Sequence, residues 1–139
     1  MIANDQVKEA IVSILKADSS LVARLTDGLL GIKERGWRGN VFSYPNVRVD
    51  LEPQRDLTPD SNCTPVVQDW SIYIYSEKHS SMEADQIAGI VANRFQGSFF
   101  VQNGIKFTRV NILENIPAIP EDERTWRAQV RCRSIIYEA

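Results

Sequence analysis

The first apolar positions, Val7, Ala10, Ile11, Ile14 and Leu15, recur at the three-and-four spacing of one helical face, with Asn4 or Asp5 as the expected cap. A short second helix is expected from Ser19 or Ser20, carrying Leu21, Val22 and Leu25, with Gly28 and Gly31 as stop signals. From Gly31 to Pro45 the periodicity dissolves. That stretch reads as an irregular connection in which Trp37 turns back onto the core. Val47, Val49 and Leu51 then alternate with Arg48 and Asp50, the mark of a strand with one buried face.

Glu52 to Pro65 contains three prolines among Asp, Ser and Asn, and reads as a long loop of the kind that orders on assembly. The strand from Val66 to Tyr75 is the clearest in the chain, with Trp70, Ile72 and Ile74 on one side and Asp69, Ser71, Tyr73 and Tyr75 on the other. Ser80-Ser81-Met82-Glu83 matches a capping box. The helix it opens carries the stripe Ala84, Ile87, Ala88, Val91 and Phe95, and Gly97 is placed to end it. Ile105 to Leu113 reads as a strand whose alternation slips between Phe107 and Val110, implying a bulge or an edge. Glu114 to Glu123 reads as an acidic, proline-containing loop. The last strand, Arg124 to Tyr137, turns Trp126, Ala128, Val130, Cys132 and Ile136 one way and Arg127, Gln129, Arg131 and Arg133 the other. The fold class that follows is α+β: a mainly antiparallel sheet of about four strands with helices on one face, in the order α-α-β-β-α-β-β. Residues 1–139 are expected to form one domain.

Composition narrows the functions open to such a chain. Sixteen Lys and Arg against eighteen Asp and Glu leave a formal charge of -2, which argues against a dedicated nucleic-acid module. No apolar run approaches the roughly 18 residues of a membrane span, and the chain is expected to be cytosolic at synthesis. Cys63 and Cys132 lie far apart without a CxxC spacing, so neither a disulfide framework nor a zinc ribbon is indicated. A small enzyme would have to pair one of them with His79, the single histidine. Cys132 falls on the apolar side of its strand, and His79 beside a helix start reads as a solvated turn residue. Glu121-Asp122-Glu123 reads as a solvated loop tip, and Gly28, Gly31, Gly36 and Gly39 fit no phosphate-binding motif. Catalytic, cofactor and metal sites are therefore not expected.

One constellation remains. On the polar side of the sheet, Tyr73 and Tyr75 share a face with Asp69, Arg127, Arg131 and Arg133, while Arg55, Asp56 and Leu57 sit in the adjoining loop. Tyrosine with arginine on strands suits a subunit or partner interface. The same types also stack on and neutralise single-stranded nucleic acid, or pair with acids on a wet face.

The layout resembles the tail-completion and tail-terminator proteins of long-tailed bacteriophages. It does so through the opening helix Val7 to Asp18, the short helix Ser20 to Leu25, the strand after a proline at Pro45 to Asp50, the strand Trp70 to Ser76 and the helix from Glu83. The resemblance implies a non-enzymatic virion protein at the head-proximal end of the tail. It would form a homo-oligomeric ring, usually a hexamer, that ends growth of the tube. Its partners would be copies of itself, the tail tube protein and a head-side neck or connector protein. DNA would pass through the lumen without specific binding, no membrane or cofactor would be involved, and assembly would take place in the host cytoplasm. A neck or connector component has the same layout, and a single-stranded nucleic-acid-binding module is the rival from another class.

Overall fold

The computed structural model describes residues 2–37, 43–56 and 65–139. Helix α1 (Asn4–Lys16) and the short α2 (Ser19–Val22) lead through a 3-10 turn (Gly28–Gly31) into β1 (Ile32–Glu34) and β2 (Asn46–Leu51). Then come β3 (Arg55–Asp56), β4 (Val66–Ser76), α3 (Met82–Phe95), β5 (Phe100–Gln102), β6 (Ile105–Phe107), β7 (Asn111–Pro120) and β8 (Trp126–Glu138). The sheet runs β1-β2-β4-β8-β6-β5, with β3 added beside β4 and β7 beside β8. Helix α1 touches β1 and β2 at one end of this order and β5 at the other, so the sheet curls around it, while α3 lies on β4, β7 and β8.

The α+β class holds, but the sheet is mixed and has eight strands among the described residues, not about four antiparallel ones, and the order is α-α-β-β-β-β-α-β-β-β-β instead of α-α-β-β-α-β-β. Four differences account for this. The supposed irregular connection holds β1, which runs parallel to β2. The long loop holds β3, which pairs Arg55 with Val67 and Asp56 with Val66. Phe100 to Gln102 form β5. The segment read as one slipping strand and an acidic loop is two strands, β6 and the long β7. Period-two alternation fails to reveal β7 because its pairing with β8 shifts between Ile112 and Glu114 and again between Ile116 and Ile119. Its prolines are compatible with a strand because β7 lies at a margin, where a missing N–H breaks no ladder.

The caps also differ from expectation. Ala3 precedes α1 and gives no side-chain cap. Asp18, not a serine, caps α2: its Oδ1 accepts from the N–H groups of Ser20 at 3.0 Å and Leu21 at 3.3 Å. The capping box does not form as expected: the Ser80 hydroxyl accepts from the N–H of Met82 at 3.3 Å and not from that of Glu83, and Ser81, with helical backbone angles, makes no cap bond. Glu83 instead accepts a hydrogen bond from the Ser76 hydroxyl at 2.8 Å, tying the helix start to the end of β4. Gly97 does end α3 as expected, at φ +69, a conformation that favours glycine.

The expected core is present except that Trp126 is only half-buried at its margin. Trp70, Ile72 and Ile74 from β4 and Ala128, Val130 and Cys132 from β8 are buried under Ile87, Val91 and Phe95 of α3 and the apolar stripe of α1. Trp70 sits at its centre, with the rings of Phe95 at 5.6 Å and Phe107 at 5.9 Å in edge-on contact, the arrangement aromatic quadrupoles favour. Trp37 is not part of this core. It is half-buried, with the Lys33 ammonium 4.9 Å and the Arg48 guanidinium 5.7 Å from its ring centre.

Trp70→Ala removes a fully buried indole and should lower the unfolding free energy by about 3–5 kcal/mol. Asp18→Ala, which frees two backbone donors, should cost about 1 kcal/mol. Urea unfolding of both variants checks the order; equal effects would place the weight of the fold elsewhere.

Candidate functional site

The antiparallel register of β4 on β8 decides which side chains meet on the solvent side. Asp69 lies opposite Arg133, Ser71 opposite Arg131, Tyr73 opposite Gln129 and Tyr75 opposite Arg127. On the other side of β4, Arg48 lies opposite Tyr73 and Asp50 opposite Ser71. Beyond β8, Glu114 lies opposite Arg131. The face predicted to gather Asp69, Tyr73, Tyr75, Arg127, Arg131 and Arg133 therefore does so.

Its arginines are already paired. Arg133 grips Asp69 with two bonds, Nε to Oδ1 at 2.7 Å and Nη2 to Oδ2 at 2.9 Å, the fork geometry that makes such pairs strong. Arg55 from β3 adds a second cation, its Nη2 3.6 Å from Asp69 Oδ2. Arg131 lies between Glu114 and Glu52, reaching Glu52 at 3.2 Å. Arg127 meets Glu121 at 3.1 Å and Arg35 meets Asp50 at 3.1 Å. Five arginines thus face five carboxylates on this surface. The tyrosines lie among them: Tyr73 and Tyr75 stack at 6.5 Å, and Arg35 and Arg127 stand over the Tyr73 ring at 4.3 and 5.7 Å.

The bidentate bond from Arg133 holds the Asp69 carboxyl below its usual range against an opposing effect of burial, and the charges of Arg133, Arg55 and Arg131 reinforce it. The bond in turn raises Arg133, and the contacts with Glu114 and Glu52 raise Arg131. Burial pushes the Tyr75 hydroxyl up.

Of the loop residues expected at this surface, Arg55 reaches it. Asp56 is an exposed residue of β3, and Leu57 lies outside the described residues. Sequence reading missed Arg35, Glu52, Glu114 and Glu121, each on a segment taken for loop or irregular chain. It also missed Arg48, which alternation placed facing solvent. Arg48 is buried, and its Nη1 donates to the carbonyls of Gly31 at 3.1 Å and Val47 at 2.9 Å.

The residues considered for nucleophilic chemistry are not brought together where they are described. Cys132 is fully buried on the core side, which pushes its thiol well up, whereas His79 is exposed in the turn before α3. Cys63 lies outside the described residues. Among the described residues, no group of three or more His, Cys, Asp or Glu is placed to hold a metal ion, and no helix is long and apolar enough to cross a membrane.

No family model and no curated protein sequence matches the chain. Its fold is similar to that of a chain in the virion of a native gene transfer agent particle, with a TM-score of 0.69 and 17% identity over 94% of each chain.

Asp69→Asn should lower stability at pH 7 by about 1.5 kcal/mol, a modest value because both arginines keep access to water. A carboxyl held below its unfolded value of about 3.9 stabilises above that pH, and the contribution is lost as pH falls through the depressed folded value. The gap between wild type and variant should therefore close toward pH 2 in urea titrations; a gap that widens in acid would contradict this.

Proposed function

We propose that this chain is a structural virion protein of a tailed phage or phage-like particle, a tail terminator whose copies close into a ring at the head-proximal end of the tail tube. The ring stops tube growth and offers its opposite face to a neck or connector protein. The observation that carries the reading is the fold likeness to a gene transfer agent virion chain over 94% of both chains, joined to the layout of helices and strands that resembles the terminator family. The role is one of assembly, without covalent chemistry, and the protein resides in the virion after assembly in the host cytoplasm.

The outer face fits this role better than it fits nucleic-acid binding. A surface that grips single strands leaves its cations free for phosphates, whereas five arginines here are matched by carboxylates a few ångströms away. Pre-paired charges and stacked tyrosines suit a protein interface, in which buried charges must be satisfied before they lose water. A chain with net charge -2 also suits a lumen that DNA crosses without being held.

The test is polymerisation of the tail tube subunit with and without this chain, imaged by electron microscopy. Tubes should be blocked at one end by a ring when the chain is present, and unblocked tubes of unchanged length would overturn the reading. Short single-stranded oligonucleotides should show no salt-sensitive mobility shift; tight binding that weakens steeply with salt would favour the nucleic-acid module instead.

A further inference from the structure

The two ends of β8 carry surfaces of opposite character. Strand β8 has 13 residues, a path of about 40 Å at roughly 3.3 Å per residue. At its far end, Ile136 to Glu138 pair with β6, and β5 follows as the last strand of the sheet. This hairpin leaves Phe99 68% and Val101 65% exposed. From Gly97 to Arg109 it contains Lys106 and Arg109 and no acid, the one acid at this end being Glu138 of β8, opposite Ile105. At the near end, Pro120 of β7 pairs with Trp126, and the turn beyond exposes Glu121, Asp122 and Glu123 beside Ile119, itself 45% exposed. From Asn115 to Glu123 there is no Lys or Arg, and the turn's single cation, Arg124, follows its three acids.

At the near end Glu121 is paired with Arg127 and Asp122 accepts from the N–H groups of Arg124 and Thr125, but other charges at the two ends are not consumed within the subunit. Among the described residues, Glu123, Lys106 and Arg109 have no ion-pair partner. Lys106 only stands over the Tyr137 ring. The sheet margins differ in the same sense. Along β7, Pro117 and Pro120 lack donors, the Ala118 N–H is taken by Asp85 at 2.8 Å and the Ile112 N–H by Gln96 at 3.1 Å, devices that prevent strand addition. Strand β5 ends the sheet with exposed apolar side chains instead.

We infer that the β7–β8 turn of one copy docks on the β5–β6 hairpin of the next, with Ile119 against Phe99 and Val101 and Glu123 toward Lys106 and Arg109. Two different patches at the two ends of one long strand make a heterologous contact, which closes into a ring when the rotation between copies allows. The occupant is a second copy because each patch carries exposed apolar side chains and a charge sign that the other complements. The inference rests on the proposed ring only in requiring that copies meet copies.

The test uses a Cys63→Ser background, in which the remaining Cys132 is fully buried, so that V101C and I119C each carry one exposed cysteine; the two are treated with a short bifunctional thiol reagent separately and as an equimolar mixture. The mixture should give cross-linked dimer at least about fivefold above either chain alone. No excess in the mixture, or V101C cross-linking to itself as strongly, would overturn the assignment. K106E placed on the V101C chain, or E123K on the I119C chain, should cut the yield several-fold, and mixing the two reversed chains should restore it. Failure to restore would equally contradict the contact. The readout is separate from tube capping: wild type that caps tubes without the mixed cross-link leaves the terminator reading intact and removes this interface, and the converse result does the reverse.

Discussion

The pairing of β4 with β8 is the constraint on which the rest depends. Because side chains alternate across a strand, this one register places Trp70 beside Cys132 and Ile72 beside Val130 in the core, and Asp69 beside Arg133 and Ser71 beside Arg131 outside it. A slip of one residue would bury arginines and expose the tryptophan, a cost of many kcal/mol that no other contact offsets. The bidentate Asp69–Arg133 pair forms only in the native register, so the outer face helps specify the same alignment that the apolar face drives.

Around this central pair, the remaining elements solve two problems: covering one face and managing the margins. The curl of the sheet lets α1 reach both β1 and β5, so one helix serves strands far apart in sheet order. Polar groups that fall on the buried side are used as ties. Gln68 donates to the carbonyls of Glu52 and Asp69, at 2.8 and 2.7 Å, and the Ser134 hydroxyl donates to the Thr108 carbonyl at 2.9 Å. Each joins the strand pair to a segment beside it and gives a buried donor its partner, while the Gln68 Oε1 stays buried without one among the described residues.

Much of this was legible in the chain. Strong periodicity revealed α1, β2, β4, α3 and β8 with their buried sides, and hence the arginine and tyrosine face. What escaped were elements too short or too irregular to carry a period. Three residues of β1, two of β3 and three of β5 are held by their neighbours, not by their own propensity. In β7 the bulges and prolines imitate a loop. The carboxylates that neutralise the arginines, Glu52, Glu114 and Glu121, lie on those misread segments, so the face looked more cationic in sequence than it is in space.

The proposed terminator role requires the chain to close on copies of itself. Native mass spectrometry of the wild-type protein recovered from tube ends tests it most directly. A single discrete stoichiometry, with six copies expected, would support closure; a lone subunit, or an open-ended series of oligomers, would contradict it.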